Sequence, residues 1–444
     1  MSLSRFLVPL VLLTVSATAF AADWKPAPAP LMTKWGKQVT PENAWQEYPR
    51  PQLVRKDWLN LNGLWDYAIT AKDAAKPEKW DGQILVPYCA ESALSGVGKH
   101  VTKDQNLWYR RTLEVPAAWK GQRVLLHFGA VDWHATVFVN GRQLGAHLGG
   151  FDPFSFDITD ALKDGPNELV IRVWDPTDSA AQPRGKQVSK PGGIWYTPVT
   201  GIWQTVWMEP VRDRSIEQVL PLVDFDAAAL KVTIRGRGTG KADPVWVYVE
   251  SDGKEVAQKP GTLGEPITIT IPNPKPWSPD SPHLYRLVVE LTARGEPIDH
   301  VESYFAFRKI SVGKDEKGIP RLMLNNKPVF QIGPLDQGWW PDGLLTPPSD
   351  EAMAYDLKVL KQLGYNMLRK HIKVEPARLY YHCDKLGLLV WQDMPSGGVP
   401  SRGQFIRPDA KADATFTDDE KKQFRTELKA MIDHLRFFPC IVVW

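Results

Sequence analysis

The sequence predicts a multidomain β plus α/β protein: two successive antiparallel β blocks, then a parallel β/α segment. Three observations predict it. Short apolar runs broken by turn residues fill the stretch from about Trp58 to Val312, where no helix of normal length is needed. From Val329 onward strand-like and helix-like periods alternate. With 444 residues the chain is too long for one ordinary core, so roughly two to four domains are expected.

Composition narrows the function. The balance of 54 Lys+Arg against 51 Asp+Glu leaves a charge of +3, too little for a basic field that would neutralise nucleic-acid phosphates. Three cysteines, Cys89, Cys383 and Cys440, make no disulfide framework, and neither they nor the scattered histidines have metal-ligand spacing. No metal and no cofactor is expected. The 19 Trp, 38 Pro and 33 Gly point to many turns and much flat aromatic surface.

The first segment reads as an address. Arg5 precedes the apolar run Phe6–Val15, which is too short to span a bilayer, and Ala19-Phe20-Ala21 is a small-x-small cleavage site. Residues 1–21 are therefore expected to be a secretory signal cut after Ala21, sending the protein to the periplasm or out of the cell. No later stretch is long and apolar enough to span a membrane.

The first β block is expected over 22–212. Ala135–Val139 followed by Asn140-Gly141 and a polar return strand predicts a hairpin, since Asn-Gly supplies the positive φ angles of a type I′ turn. Arg123–Phe128 and Glu168–Trp174 are further strands, and breakers stand at Asn62-Gly63, Lys120-Gly121 and Asp164–Asn167. Many short strands at this spacing predict a sandwich or jelly roll. The second block, 213–312, carries Ala229–Ile234, Val245–Glu250, Ile267–Ile271, Leu284–Leu291 and Glu302–Phe307. Roughly seven strands in about 100 residues is the arithmetic of an immunoglobulin-like sandwich without the antibody staple.

The last segment, 313–444, begins with Val329–Ile332 as its first strand. Ser349 caps a helix whose first turn carries Asp350 and Glu351 and whose stripe is Met353, Leu357 and Leu360; Gly364 ends it. Tyr365–Leu368 is the second strand. Pro376 opens a helix with Leu379, Cys383 and Leu386 on one face, and Gly387 stops it. Leu388–Trp391 is the third strand. Thr417 and Glu420 form a capping box for a helix with the stripe Phe424, Leu428, Met431 and Leu435. Cys440–Trp444 is the fourth strand. Such alternation means right-handed crossovers and a parallel sheet, either open and doubly wound or the start of a (β/α)₈ barrel. The missing Gly-x-Gly-x-x-Gly weighs against a dinucleotide fold and an oxidoreductase. A barrel needs roughly 200 residues or more, which makes this one, if a barrel, an incomplete one.

Several stretches resemble glycoside hydrolase family 2, the group of β-galactosidases, β-glucuronidases and β-mannosidases, from about Trp45 to Trp444. They are Asn60–Trp65, Trp108–Arg111, Val137–Gly141, Gly149–Ile158 and Gly201–Val206. The most specific are Gly364–Pro376 and Gly387–Met394. The resemblance implies a jelly-roll sugar-binding domain, an immunoglobulin-like β-sandwich and a catalytic (β/α)₈ TIM barrel. It implies retaining hydrolysis of β-linked sugars by an acid/base Glu and a nucleophile Glu. The family places the first in an Asn-Glu pair just after the fourth barrel strand, past Trp444, and the second much further on. The chain is thus expected to be a truncated member with neither catalytic carboxylate, unable to hydrolyse glycosides, and poorly soluble because its sheet stays open.

By the same resemblance Arg369 helps fix the carboxylates, and His371 and Asp393 line the sugar pocket. An Arg suits this because its planar fork binds carboxylate bidentately. The family more often leaves two residues between this Arg and His; here only Lys370 intervenes. Asp336, with Trp339 and Trp340, follows the first strand, where acceptors beside aromatic faces suit a sugar. Asp132 falls where the family's β-galactosidases carry an Asn that reaches the sugar. Trp195 and Tyr196 sit in a Gly- and Pro-rich loop expected to reach the barrel mouth. The partner implied is a carbohydrate substrate. The competing reading is a non-catalytic carbohydrate-binding or structural β-sandwich protein.

Overall fold

The computed structural model describes residues 24–238, 243–398 and 415–444, so the leader expected over 1–21 lies outside the described residues. The first block is a β-sandwich of two antiparallel sheets. One orders the strands Leu59–Asn60, Val206–Val211, Arg123–Phe128 and Phe154–Asp157. The other orders Gly82–Val86, Gly63–Ala71, Gln105–Leu113, Asn167–Trp174, His134–Val139 and Arg142–Leu148. Trp65, Tyr109 and Ile171 from the second sheet meet Leu126, Phe128 and Met208 from the first in a single apolar core. The expected hairpin forms: Asn140 and Gly141 have φ of 51° and 80°, and Val139 pairs with Arg142 across the turn.

The second block is also a sandwich. Ser215–Asp224, Ala229–Arg237 and Pro266–Thr270 form one sheet; Lys254–Thr262, Pro244–Ser251, Tyr285–Ala293 and Glu296–Phe305 form the other. Seven strands share the core of Leu230, Val232, Val247, Val289 and Phe305. Val245, Val247 and Val249 are buried while Trp246 and Tyr248 alternate outward, the signature of a sheet with one wet face. The strand expected at Glu302–Phe307 starts earlier, at Glu296, because it pairs along the whole of Tyr285–Ala293.

The third block is a four-stranded parallel sheet in chain order: Leu335–Asp336 (β1), Met367–Lys370 (β2), Leu389–Gln392 (β3) and Ile441–Val443 (β4). Helices Asp350–Gln362 (α1), Ala377–Leu386 (α2) and Asp418–Leu435 (α3) connect them. The caps are as expected. Ser349 Oγ accepts from Ala352 N at 3.1 Å, and Thr417 and Glu420 complete a reciprocal capping box. Gly387 ends α2 with φ of 72°. Among the described residues the sheet stays open and no barrel closes.

Two expectations fail here. Val329–Ile332 is not the first strand; Phe330 is 81 % exposed, and β1 lies further on. Pro334 has no N–H for a ladder, and Gly333 lies so close to the Met367 carbonyl that a Cβ would meet it at 1.7 Å. The Asn366 side chain ties the segment instead, accepting from Ile332 N at 2.9 Å and donating to Phe330 O at 2.7 Å. Phe424 is 37 % exposed rather than part of the α3 stripe, whose buried members Met431 and Leu435 lie further along the helix.

The three blocks share surfaces. Trp203, Phe151, Tyr304, Tyr380 and Phe438 belong to one core drawn from all of them. The segment before α1 is stitched to the first sandwich: Trp45 Nε1 donates to Pro347 O at 2.9 Å and Tyr88 OH to Pro348 O at 2.8 Å. The Thr346 hydroxyl lies 3.0 Å from Pro87 O and 2.6 Å from Trp203 O. Tyr304, from the second sandwich, donates to Asp384 Oδ2 on α2 at 2.7 Å.

Candidate active-site wall

Parallel pairing sets Asp336, Lys370 and Gln392 level at the C-terminal ends of β1, β2 and β3, the edge where parallel α/β sheets place their chemistry. Asp393 follows β3 directly. Arg369 grips it with a fork, Nε to Oδ1 at 3.1 Å and Nη2 to Oδ2 at 2.7 Å. His371 Nδ1 lies 2.8 Å from the same Oδ2. Burial pushes the Asp393 carboxyl up, but the hydrogen bonds from Arg369 and His371 outweigh it and hold it below the usual carboxylate range. Those bonds raise Arg369 in turn. Arg369 stays 46 % exposed at its side chain, so the fork faces solvent.

Beneath this fork lies a buried ionic cluster. Lys370 and Lys373 have fully buried side chains, and Glu375 is nearly so. Lys370 Nζ reaches Asp336 Oδ2 and Glu375 Oε1, both at 2.7 Å. Burial lowers the Lys370 pKa, but Asp336 and Glu375 more than reverse this and raise it. Lys373 Nζ donates to Gly338 O at 2.7 Å and Leu345 O at 2.6 Å. It lies 2.8 Å from Glu375 Oε2, an oxygen that accepts no well-directed hydrogen bond. Burial, with the like charge of Lys370, outweighs Glu375 at Lys373 and pulls it down to about 8. Asp336 also receives Gly338 N at 2.8 Å; burial raises its carboxyl, and Lys370 pulls it below the normal range.

Aromatic residues border the same edge. Trp339 stacks on Tyr196 at 4.3 Å and 12°, so the loop of the first sandwich does reach this edge. Trp340 meets Trp35 edge-on at 6.5 Å and bridges to Leu344. Trp195 is 44 % exposed on that loop. Arg184 N and Gly185 N both donate to Ser396 O at 2.9 Å, fastening the loop to the segment after β3. Asp132 stands apart. It is buried and accepts from Gln187 Nε2 at 2.8 Å, while Val199 N donates to Gln187 Oε1 at 2.6 Å. Burial, reinforced by Asp175, pushes its carboxyl well up.

The structure thus joins Arg369, His371 and Asp393 in one cluster, sets Asp336 beside it through Lys370, and leaves Asp132 in a separate polar pocket. Sequence reasoning missed Lys370, Lys373 and Glu375 as participants. No local signal marked them: Lys370 and Lys373 stand in a charged run after Arg369, and their burial depends on Asp336 and Glu375 converging on them in space. Among the described residues no group of three His, Cys, Asp or Glu is placed to hold a metal ion, and no helix is long and apolar enough to cross a membrane.

Residues 87–200 match the family profile described as the glycosyl hydrolase 2 galactose-binding domain-like domain, and residues 222–308 match that of glycosyl hydrolases family 2. These two stretches match domains of glycosyl hydrolase family 2. The chain is 26% identical over 422 residues to a β-galactosidase of Thermoanaerobacter pseudethanolicus, covering 88% of this chain and 51% of that protein. It is 24% identical over 409 residues to a β-glucuronidase of Bacteroides fragilis, covering 88% and 56%. The β-glucuronidase of Ruminococcus gnavus has the same fold with a TM-score of 0.73 at 20% identity, covering 90% of this chain and 68% of that one. The chain spans about half the length of the curated relatives it matches.

Proposed function

We propose that this chain serves the retaining hydrolysis of β-linked glycosides, and that its parallel sheet supplies one wall of the sugar pocket. The observation that carries the reading is the fork of Arg369 on Asp393, with His371 on the same carboxylate, at the C-terminal end of a parallel sheet. Such a group offers a sugar hydroxyl a fixed acceptor and two donors. Asp336, Trp340 and Trp195 are proposed to border the pocket, with Trp339 and Tyr196 as its flat side. Asp132, buried under Gln187, is proposed to shape the loop rather than touch the sugar. Retention requires two carboxylates about 5–5.5 Å apart with room for the glycosidic bond between them. Asp336, Glu375 and Asp393 are each committed to a cation, so we place neither the acid/base nor the nucleophile among them.

Two assays test this. The purified 444-residue chain is expected to show no turnover of aryl β-galactoside, β-glucuronide or β-mannoside. Turnover abolished by Asp393→Asn or Glu375→Gln would relocate the catalytic pair to this wall and overturn the reading. Joined to the part of the Thermoanaerobacter β-galactosidase that lies outside the match, the chain is expected to gain aryl-glycosidase activity. Arg369→Ala in that hybrid should cost about a hundredfold in kcat/KM, the scale of a lost positioning contact. Export to the periplasm or medium is part of the same proposal; N-terminal sequencing of the secreted product should begin at Ala22.

A further inference from the structure

Two of the three cysteines meet where α2 packs against the start of β4. Cys383 lies on the buried face of α2 and Cys440 directly precedes β4; both are fully buried in the core that all three blocks share. Cys440 Sγ lies 3.5 Å from Tyr380 O. A helical carbonyl points along the axis toward the residues three and four further on, so this contact alone brings Cys440 to Cys383. The two thiols are within hydrogen-bonding reach of each other. Cys440 N donates to Asp384 Oδ1 at 2.6 Å, which fixes its backbone against the same turn of α2. The Cys89 thiol, in the first block, interacts with Glu91 and Ser92 instead.

Burial pushes the Cys440 thiol well up, which keeps it protonated and inert while the core is closed. A disulfide carries neither charge nor S–H, so the burial that disfavours a thiolate does not disfavour the oxidised pair. We propose that Cys383 and Cys440 form a disulfide that staples α2 to β4 when the chain folds in the presence of a disulfide oxidant. One cysteine thiolate attacks a sulfur of the oxidant and displaces the other half as a thiolate. The second cysteine thiolate then attacks the mixed disulfide and displaces the remaining half. Two S–H bonds are lost and one S–S bond forms; two electrons pass to the oxidant, whose two sulfurs leave with the two protons as thiols. The exchange runs while the site is still open, and the closed core afterwards shields the bond from soluble reductants. The pairing stands whether or not the Arg369–Asp393 cluster handles a substrate.

Thiol counting with peptide mapping tests this. The 444-residue chain is made by cell-free synthesis in a buffer of reduced and oxidised glutathione, so that it folds with the oxidant present, and is then denatured and alkylated. Free thiols should fall from three per chain to one, and the alkylated residue should be Cys89. Trypsin should release Leu379–Lys385 joined to Phe437–Trp444, a link that dithiothreitol breaks. Cys440→Ser should leave both remaining cysteines alkylated, whereas Cys89→Ser should leave the linked peptide unchanged. The oxidised chain should melt several degrees above its reduced form, because the bond closes a loop of about 57 residues. The proposal falls if three thiols are alkylated, if Cys89 takes part in the link, or if oxidation leaves the melting temperature unchanged.

Discussion

Glu375→Gln is the sharpest probe of the buried cluster under the candidate wall. The carboxylate serves two ammonium groups at once, Lys370 at 2.7 Å and Lys373 at 2.8 Å, and all three side chains are 2 % exposed or less. Removing one partner of a buried ion pair costs about 3–5 kcal/mol. The variant sits at the lower end, about 3 kcal/mol, because Lys370 keeps Asp336 and the Gln oxygen, and Lys373 keeps the carbonyls of Gly338 and Leu345. Urea denaturation at pH 6.5 should show this as a midpoint lowered by roughly 1–3 M, for m values of about 1–3 kcal/mol per M. The deficit should also depend on pH. Burial already pulls Lys373 down to about 8, below its unfolded value, and loss of Glu375 pulls it further. The folded variant then binds fewer protons than the unfolded chain over that interval, so its stability rises with pH, by up to about 1.4 kcal/mol per unit for one proton. Between about pH 6 and 8 the gap to the parent should therefore narrow. A deficit below about 1 kcal/mol at pH 6.5, or one that widens with pH, would refute the picture of two charged lysines sharing one carboxylate.

Three further outcomes are expected. Asp393→Asn should barely move the melting temperature, because its fork with the half-exposed Arg369 is screened by solvent, while mobility of the Arg369 side chain measured by NMR rises. Trp339→Ala removes the stack that holds Tyr196, worth about 0.5–1.5 kcal/mol, and chymotrypsin should cut the loop at Trp195 several times faster. The 444-residue chain should be poorly soluble alone, since among the described residues β4 pairs with a strand on one side only and its other side meets just the Arg308 side chain, which donates to Ile441 O at 3.1 Å; Val443→Lys should raise the soluble fraction, and no change would argue that aggregation starts elsewhere.

What the sequence made legible was local. The helix starts at Ser349, Pro376 and Thr417 were readable because a cap is decided within four residues, and the Asn140-Gly141 hairpin because its turn requires those φ angles. The seven-strand second sandwich followed from counting apolar alternation. Long-range events were not legible. An apolar run at Val329–Ile332 gives no warning that Asn366 will bind its backbone from 34 residues away. Nor does Asp132 announce that Gln187, 55 residues later, will cover it. Lys370 and Lys373 looked like surface charge because a lysine in sequence carries no mark of burial; only the convergence of Asp336 and Glu375 makes an interior position tolerable.

The stitching of residues 346–348 to Trp45, Tyr88, Pro87 and Trp203 has a practical consequence for anyone dissecting the molecule. Diagrams drawn by strand connectivity invite cutting the gene between its blocks, yet each such cut strips an indole, a phenol or a threonine hydroxyl of the carbonyl it was shaped to meet. The units are separable on paper and interlocked in space, like dovetailed joinery whose pieces keep their form only while assembled.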